Sequence, residues 1–402
     1  MAIELSNLTF TNGADIVPAS GVQQILNTGV ANTLGGDDSI TGDPINILSE
    51  VLNGTSEHLH GIYNSGTLHT DDGNDIIAGI GRKYDLFAGT GIYNTTGTIE
   101  TGNGNDRITG LSASRGIQSL SGTINTGDDD DTITGAATSL DGGSEVGVGI
   151  FTSHSTLDTG KGNDVITGTA LDSAYADGID NFLSTFTTGD GNDIIIGNTK
   201  GGSVGIRNRG SIDTGNGNDR ITGTNTGSRS YYFGSGIYNY EEITTGEGED
   251  IITGTSDVDG IVNDGSINTG NGADSIVGRG GFFDENNGLY YGGGIKNRGT
   301  INTGNGNDSL IADGGFDGSG NVFLGNGKDY LKGFGSGNFD GGNGKDTLEL
   351  TSGSYTVGIS GTAVNFTKDS IIMNTSGFEE LIAGNTKYDF NRLTNGQTIV
   401  VA

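Results

Sequence analysis

The stretch TGNGNDRITG occupies residues 101–110 and occurs again, without a single change, at residues 214–223. Each copy ends a longer unit, such as GIYNTTGTIETGNGNDRITG at 91–110 and GIRNRGSIDTGNGNDRITG at 205–223. Nine long copies of this unit run from Gly61 to Ala312, and shorter relatives flank them at 34–42, 324–333 and 341–350. Such self-similarity indicates a chain built from stacked copies of one structural unit.

The composition excludes several other classes of protein. Glycine accounts for 78 of 402 residues, and 50 acidic residues against 19 Lys and Arg give a net charge of −31. The glycines do not recur at every third position, which excludes collagen, and the regular recurrence of aliphatic residues argues against disorder. The negative charge argues against nucleic acid as a partner and favours cations. Without cysteine, no disulfide can stabilise the chain.

Three positions of the unit are nearly always aliphatic and lie within short β-branched runs, so each copy is predicted to form three short strands joined by glycine turns. One copy cannot bury three isolated aliphatic side chains, whereas stacked copies bury them as continuous ladders. The predicted fold is therefore all-β, a right-handed parallel β-helix or β-roll-like solenoid of about twelve coils with N- and C-terminal caps. The three positions are Ile62, Ile92, Ile117, Ile150, Ile179, Ile206, Ile237, Ile261 and Ile295; Leu68, Ile99, Ile124, Leu157, Phe186, Ile212, Ile243, Ile267 and Ile301; and Ile77, Ile108, Ile133, Ile166, Ile195, Ile221, Ile252, Ile276 and Leu310.

Two further features repeat or vary in a regular way. An Asn two residues after the first aliphatic position is expected to hydrogen-bond along the stack. Differences in length fall after the third strand, where the inserts at 80–90, 224–235 and 279–293 are expected to loop out on one side. These inserts either pack over a coil or form a face for a partner. The Asn residues expected to hydrogen-bond along the stack are Asn64, Asn94, Asn181, Asn208, Asn239, Asn263 and Asn297.

The turn T-G-x-G-x-D-x-[IL] carries the most restricted side chains of the unit. Its glycines permit positive φ and let carbonyl oxygens point inward, and its Asp returns a carboxylate to the same place in every coil. Stacked carboxylates would repel one another unless a cation lay between them, so we expect about eleven Ca²⁺ ions between coils. The residue before each Asp varies and is expected to face solvent. The predicted ligands are Asp38, Asp75, Asp106, Asp131, Asp164, Asp193, Asp219, Asp250, Asp274, Asp308, Asp329 and Asp346.

This turn resembles the nonapeptide G-G-x-G-x-D-x-U-x of the repeats-in-toxin (RTX) calcium-binding proteins, in which U is aliphatic. GGNGKDTLE at 341–349 matches it fully, and TGNGNDRIT at 101–109 differs only in its first residue. The resemblance covers roughly residues 35–350. It implies Ca²⁺ held between coils by carboxylates and turn carbonyls, secretion by a type I system that reads a C-terminal signal, and folding outside the cell. Here, however, most Asp positions lie 24–37 residues apart, which predicts one calcium turn per coil on one edge only.

The remaining segments are assigned from this pattern. Residues 1–60 are predicted to form an N-terminal cap and first coil, 61–350 the calcium-binding solenoid, and 351–402 a C-terminal β-cap with the secretion signal. The segment SYTVGISGTAVNFTKDSIIMN at 354–374 alternates like β-strands, and GFEELIAG at 377–384 resembles a coil without its Asp. No signal peptide is expected at the N-terminus. Nowhere do 18 apolar residues occur consecutively, so no membrane span is predicted.

The predicted function is that of a secreted, calcium-binding structural or adhesive surface protein rather than an enzyme. Its expected partners are calcium and either a second copy of the chain, bound end to end or laterally, or cell-surface polysaccharide. A secreted polysaccharide lyase or epimerase is an alternative, since such an enzyme needs a base and a charge-neutralising group in one groove. An ice-binding solenoid is a third. The candidates for the enzymatic alternative are His58, His60, His69, His154, Arg82, Lys83 and Arg115.

Overall fold

The structure is a computed structural model that describes residues 2–18, 23–44, 59–84, 87–138, 147–171, 176–201, 203–226, 234–284 and 289–402. Its contacts divide the chain into two compact units. Unit 1 comprises residues 1–215 and 223–227, and unit 2 comprises residues 216–222 and 228–402. His58 and most of the insert at 224–235 fall outside the described residues.

Both units are parallel β-solenoids, which confirms the predicted fold class. Each coil contributes a first, a second and a third strand, and each strand pairs in parallel with the equivalent strand of the next coil. In unit 1 the first strands are Ile3–Glu4, Ile25–Asn27, Ile62–Asn64, Thr90–Asn94, Arg115–Leu120 and Val148–Ser153; the second strands are Val30–Asn32, Thr67–His69, Thr98–Glu100, Thr123–Asn125 and Thr156–Asp158. In Asp177–Thr187 and Val204–Asp213 the first and second strands are continuous. The third strands are Ile16–Val17, Ser39–Gly42, Ile76–Ile80, Arg107–Ser112, Thr132–Thr138, Val165–Leu171 and Ile194–Lys200, and Arg220–Thr226 has residues in both units.

Unit 2 repeats the same plan. Its first strands are Ser235–Asn239, Asp259–Asn263, Gly293–Asn297 and Phe316–Asp317; its second strands are Glu242–Thr244, Ser266–Asn268, Thr300–Asn302, Asn321–Phe323 and Gly337–Asp340. Its third strands are Ile251–Ser256, Ser275–Arg279, Ser309–Asp313, Tyr330–Lys332, Thr347–Leu350 and Glu380–Ala383. Three turns also pair with one another through Asn305–Gly306, Asn326–Gly327 and Asn343–Gly344.

The three predicted aliphatic positions form the core. Ile92, for example, pairs with Ile62 on one side and Ile117 on the other, and all three side chains are fully buried. Every member of the three predicted sets has no exposed surface. Because full burial of an aliphatic side chain contributes about 1.5–3 kcal/mol, these ladders are the main apolar contribution of each coil.

The predicted Asn ladder is confirmed and is longer than the sequence indicated. Asn27 Nδ2 donates to Asn64 Oδ1 at 2.8 Å, and Asn64 Nδ2 donates in turn to Asn94 Oδ1 at 2.8 Å. In unit 2, Asn239 and Asn263 repeat the bond at 2.9 Å. Ser119 accepts from Asn94 at 3.2 Å in place of an Asn. The ladder fixes the turn between the first and second strands of each coil.

Segments outside the coils are short and antiparallel. The described part of the insert at 80–90 contains the paired strands Lys83–Tyr84 and Phe87–Ala88, and that at 279–293 contains Phe282–Asp284 and Leu289–Tyr291. At the C-terminus, the antiparallel strands are Gly353–Ser360, Ala363–Lys368, Thr386–Asp389 and Thr398–Val401. Ile371–Ser376 pairs antiparallel with Ala363–Lys368 and in parallel with Gly337–Asp340 of the solenoid. The described residues also include the 3₁₀ helices Leu5–Asn7 and Phe390–Arg392. In the described part of the chain, no helix has the length and apolar character needed to cross a bilayer.

Candidate metal centre

The T-G-x-G-x-D turns stack directly on one another. The first glycine of the turn has positive φ, as in Gly102 (98°) and Gly304 (87°), which confirms the prediction for this position. Two coils carry other residues there, Leu34 and Asp71, and these residues still adopt φ values of 69° and 59°. The stacking therefore imposes the left-handed conformation even where the residue does not favour it.

In several turns the hydroxyl of the opening Thr donates a hydrogen bond to the next coil. Thr70 Oγ1 donates to the carbonyl oxygen of Thr101 at 3.3 Å, and Thr101 Oγ1 donates to that of Thr126 at 3.0 Å. Thr245 and Thr269 form the same bonds in unit 2. These turn carbonyls consequently lie along the stack and accept hydrogen bonds.

The twelve predicted Asp residues are all buried, with at most 2% of each side chain exposed. Within each unit, the backbone N–H of one Asp donates to Oδ1 of the Asp in the next coil. In unit 1 the bonds join Asp38 to Asp75, Asp75 to Asp106, Asp106 to Asp131, Asp131 to Asp164 and Asp164 to Asp193, at 2.7–2.8 Å. In unit 2 they join Asp219 to Asp250, Asp250 to Asp274, Asp274 to Asp308, Asp308 to Asp329 and Asp329 to Asp346, at 2.8–2.9 Å. We call these two runs the Asp ladders.

The Asp ladders change the expectation that only a cation separates the carboxylates. A backbone N–H also lies between successive carboxylates and satisfies one oxygen of each. The other oxygen, Oδ2, is buried without a hydrogen-bond partner in ten of the side chains: Asp38, Asp75, Asp106, Asp131, Asp164, Asp250, Asp274, Asp308, Asp329 and Asp346. A buried carboxylate with one unsatisfied oxygen is costly unless it gains a cation or a proton.

The pKa values of the ladder Asp residues show the same cost of burying a carboxylate. Burial, together with the charge of neighbouring carboxylates, raises the pKa of Asp106 and Asp131 to about 7, although hydrogen bonds from Thr side chains and the backbone oppose the shift. Burial raises the pKa of Asp274 and Asp329 to about 7 as well. The folded chain therefore holds these groups as carboxylates at neutral pH only at a cost.

The donor set fits a divalent metal ion that prefers oxygen ligands. Ten of the turns contribute one unpartnered carboxylate oxygen beside backbone carbonyls, which are donor types that Ca²⁺ prefers. Among the described residues, no three acidic or histidine side chains converge on one point. One ion would therefore be held by carboxylates of neighbouring coils together with backbone oxygens.

These pKa shifts predict how the metal-free protein responds to pH. The folded pKa values of about 7 lie above the ordinary Asp value of 3.8. Protons therefore bind the folded chain more tightly than the unfolded one, and this stabilisation is lost progressively as pH rises from about 4 to about 7. We expect metal-stripped protein to be largely unfolded at pH 8 and to regain β-structure and resistance to urea at pH 5, measured by circular dichroism.

Two controls accompany the pH experiment. Including 1 M NaCl at both pH values shortens the screening length to about 3 Å and suppresses repulsion between exposed charges. With saturating Ca²⁺ the order should reverse, because the ion requires ionised carboxylates. Equal β-structure and equal urea resistance of the metal-free protein at pH 5 and pH 8 would contradict the assignment of destabilising buried carboxylates.

The structure adds one acidic residue to the start of the unit 1 Asp ladder and one to the end of the unit 2 Asp ladder. Asp15 donates its N–H to Asp38 Oδ1 at 2.7 Å, and its own carboxylate accepts the Thr11 N–H at 2.7 Å. At the other end, Glu379 Oε2 accepts the N–H of Asp346 at 2.7 Å. The segment 377–384, expected to be a coil without its Asp, thus uses Glu in that place. TNGAD at 11–15 is a degenerate copy of the turn that the repeat pattern did not predict.

The residue before each ladder Asp faces solvent, as predicted. Asn74, Asn105 and Asn163 are exposed, and each side-chain oxygen accepts the N–H of the equivalent residue in the next coil. The position between the two turn glycines is also exposed in Asn305, Asn326 and Asn343 of unit 2. Asn326 Nδ2 donates to Asn305 Oδ1, and Asn343 Nδ2 donates to Asn326 Oδ1 at 2.8 Å.

The described histidine candidates for the enzymatic alternative each have a separate partner. His60 Nδ1 accepts the N–H of Thr90 at 2.9 Å, and burial lowers its pKa to about 4. His69 Nδ1 lies 2.8 Å from a Glu100 carboxylate oxygen. His154 Nδ1 lies 3.1 Å from the Ser153 hydroxyl.

The cationic candidates are also distributed. Arg82 forms a 2.6 Å ion pair with Asp43, and Lys83 belongs to a short hairpin. Arg115 lies 5.2 Å from the centre of the Phe151 ring. Arg82 and Lys83 are consecutive residues, whereas Arg115 lies on a first strand opposite Thr90.

Comparison with known proteins identifies no family. No protein-family model and no curated protein sequence matches the chain. Among solved structures, it is similar to the X-ray crystal structure of a hyperactive, Ca²⁺-dependent, β-helical antifreeze protein from an Antarctic bacterium. The two are 17% identical over 94% of each chain, with a TM-score of 0.47. The assignments that follow therefore depend on the residues of this chain.

Proposed function

We propose that this chain is an RTX-type calcium-binding β-solenoid that acts outside the cell as a structural or adhesive scaffold. The observation that carries the proposal is the set of ten buried Asp Oδ2 atoms without hydrogen-bond partners, repeated in register along both Asp ladders. A single buried unsatisfied oxygen could be an isolated defect. Repetition at equivalent positions favours a common ligand.

Calcium suits these turns better than other metals. The chain has no cysteine, so thiolate sites for zinc or iron–sulfur clusters cannot form. Magnesium usually retains several water molecules, and the buried carboxylates leave little room for them. Calcium accepts flexible sets of carboxylate and carbonyl oxygens. The residues that would hold it are the twelve ladder Asp residues, and its role would be to neutralise their charge between coils.

The RTX resemblance and the net charge support a location outside the cell. Extracellular calcium-binding modules typically have dissociation constants of about 10⁻⁴–10⁻³ M. In calcium-poor cytosol a chain with a net charge of −31 would therefore lack the divalent ions that its buried carboxylates need, and it would gain them after export. Folding and metal binding would then form one equilibrium.

The scaffold role follows from the distribution of side chains. The regular coils bury their aliphatic residues and expose short polar ones, whereas the described histidine candidates have separate local partners. We therefore propose that the protein is not an enzyme. Its partners would be a second copy of the chain or cell-surface polysaccharide, met by the inserts after the third strands.

A count of bound metal tests the proposal. We expect the full-length protein, dialysed against 1 mM CaCl₂ and examined by native mass spectrometry, to carry on the order of ten Ca²⁺ ions, one per carboxylate gap. The same concentration of MgCl₂ should give markedly fewer bound ions. A protein that binds at most one Ca²⁺ ion under these conditions would falsify the calcium assignment.

Ice binding is a second candidate because of the exposed Asn side chains on the turns. Asn305, Asn326 and Asn343 form a regular row in unit 2, joined by side-chain hydrogen bonds. The similar solved structure is that of an antifreeze protein, but elsewhere Lys161 and Glu247 occupy the same position and interrupt the row. Thermal hysteresis in the calcium-loaded protein would favour this candidate, and its absence at millimolar concentration would remove it.

A further inference from the structure

The end of the unit 2 Asp ladder differs from the rest of the ladder. The last turn of the repeated motif contains Asp346, and the next coil enters the C-terminal segment. Its third strand, Glu380–Ala383, still pairs in parallel with Thr347–Leu350, so that Leu381 lies opposite Leu348. The coil therefore stacks in register although its sequence lacks the T-G-x-G-x-D turn.

Glu379 occupies the position that an Asp holds in the other coils. In the regular ladder, the residue that follows each Asp donates its N–H to the backbone carbonyl oxygen of the ladder Asp in the preceding coil. Thr347, which follows Asp346, donates in this way to Asp329 at 2.8 Å. Glu380 donates in the same way to the Asp346 carbonyl oxygen at 3.0 Å. Glu379 is thus equivalent to a ladder Asp in register, and its longer side chain accepts the Asp346 N–H.

One oxygen of the Asp346 carboxylate, on the inner side of this gap, lacks a hydrogen-bond partner. Asp346 has no exposed surface, and its Oδ1 accepts the Asp329 N–H at 2.9 Å. Its Oδ2 is buried without a hydrogen bond. The second acidic group, Glu379, is only half-buried. The gap therefore combines an unsatisfied buried carboxylate with a second carboxylate that solvent reaches.

We propose that Asp346 and Glu379 hold a terminal Ca²⁺ ion that joins the C-terminal segment to the last motif coil. This site depends on the proposed calcium occupancy of the Asp ladders. It extends the metal-binding residues beyond the repeated motif, to a Glu that no motif marks. Because Glu379 is half-exposed, the terminal ion exchanges more readily than ions between buried Asp residues.

The test uses two neighbouring Glu residues of the full-length protein. Glu379→Gln removes the charge but keeps a side-chain oxygen that can accept the Asp346 N–H. Glu380→Gln is the matched control, because Glu380 forms ion pairs with Lys345 and Lys387 at the surface. Native mass spectrometry in saturating CaCl₂ counts the bound ions in each variant.

We expect Glu379→Gln to bind one Ca²⁺ ion fewer than the wild type, and Glu380→Gln to bind the same number. Hydrogen exchange should rise in residues 337–350 and 371–383 of the Glu379→Gln protein alone. A wild type that binds several ions, together with an unchanged count in Glu379→Gln, would overturn the terminal site and leave the Asp ladders intact. A loss of one ion in both variants would also overturn it.

Two further outcomes separate the proposals from one another. If the wild type binds no calcium, the ladder assignment fails and the terminal site fails with it. If Glu379→Gln does not fold, Glu379→Asp becomes the test variant, because it keeps the charge and shortens the side chain by one methylene group. In that variant the site predicts a higher calcium concentration at the midpoint of calcium-induced folding than in the wild type, and an unchanged midpoint would overturn it.

Discussion

Removal of calcium is expected to abolish most of the β-structure of this protein at neutral pH. At a free calcium concentration ten times the dissociation constant, each site contributes about 1.4 kcal/mol to folding. Ten equivalent sites would contribute about 14 kcal/mol, as much as the whole stability of a typical domain, about 5–15 kcal/mol. We therefore expect excess EGTA at pH 7.5 to convert the far-ultraviolet circular dichroism spectrum to that of an unfolded chain, and added CaCl₂ to restore it.

Two controls distinguish specific binding from general screening of charge. In EGTA, 1 M NaCl shortens the screening length between exposed charges to about 3 Å, but it supplies no divalent cation to the buried oxygens. It should therefore not restore the spectrum, and MgCl₂ at the same concentration as CaCl₂ should restore it poorly. A chain that retains its β-structure and its heat resistance in EGTA would show that the backbone hydrogen bonds of the Asp ladders suffice without metal.

Replacement of the second turn glycine is expected to have the next largest effect. Gly306 has a φ of 150°, and a Cβ atom added there would overlap the carbonyl oxygen of Gly272 in the preceding coil. The Gly272 carbonyl belongs to the backbone of a paired coil, and the added Cβ is fixed to the Gly306 backbone, so neither atom can move independently of the stack. We expect Gly306→Ala to destabilise the calcium-loaded protein by at least about 3 kcal/mol, from steric overlap and backbone strain together. Urea unfolding in saturating CaCl₂ measures this change.

Gly361→Ala is the matched control for this substitution. Gly361 also has positive φ, 63°, but nothing lies within 4 Å of a Cβ atom added there. Its replacement should cost only the backbone strain, about 1 kcal/mol. Equal destabilisation by the two substitutions would indicate that close stacking of the turns does not limit the fold.

The sequence predicted the interior of this protein well, because one signal was repeated many times. Ile62, Ile92 and Ile117 could be identified as one buried ladder since they recur at the same place in each copy and sit in β-branched runs. The inserts do not disturb this signal. Degenerate copies were harder to find: Asp15 follows a turn with Thr11 in the first glycine position, and Glu379 follows no recognisable turn.

By itself, the sequence determined the β-solenoid fold, the three aliphatic ladders, the Asn ladder and the positions of the buried Asp residues. Only the tertiary structure decided how those Asp residues are bonded. Asp131 Oδ1 accepts the N–H of Asp106, 25 residues earlier. Asp346 Oδ1 accepts the N–H of Asp329, 17 residues earlier. Such bonds depend on which backbone groups of two coils lie opposite each other after the intervening inserts have looped out. Local sequence sets the conformation of each turn, whereas the stacking of coils decides which carboxylate oxygens are satisfied and which remain for a cation.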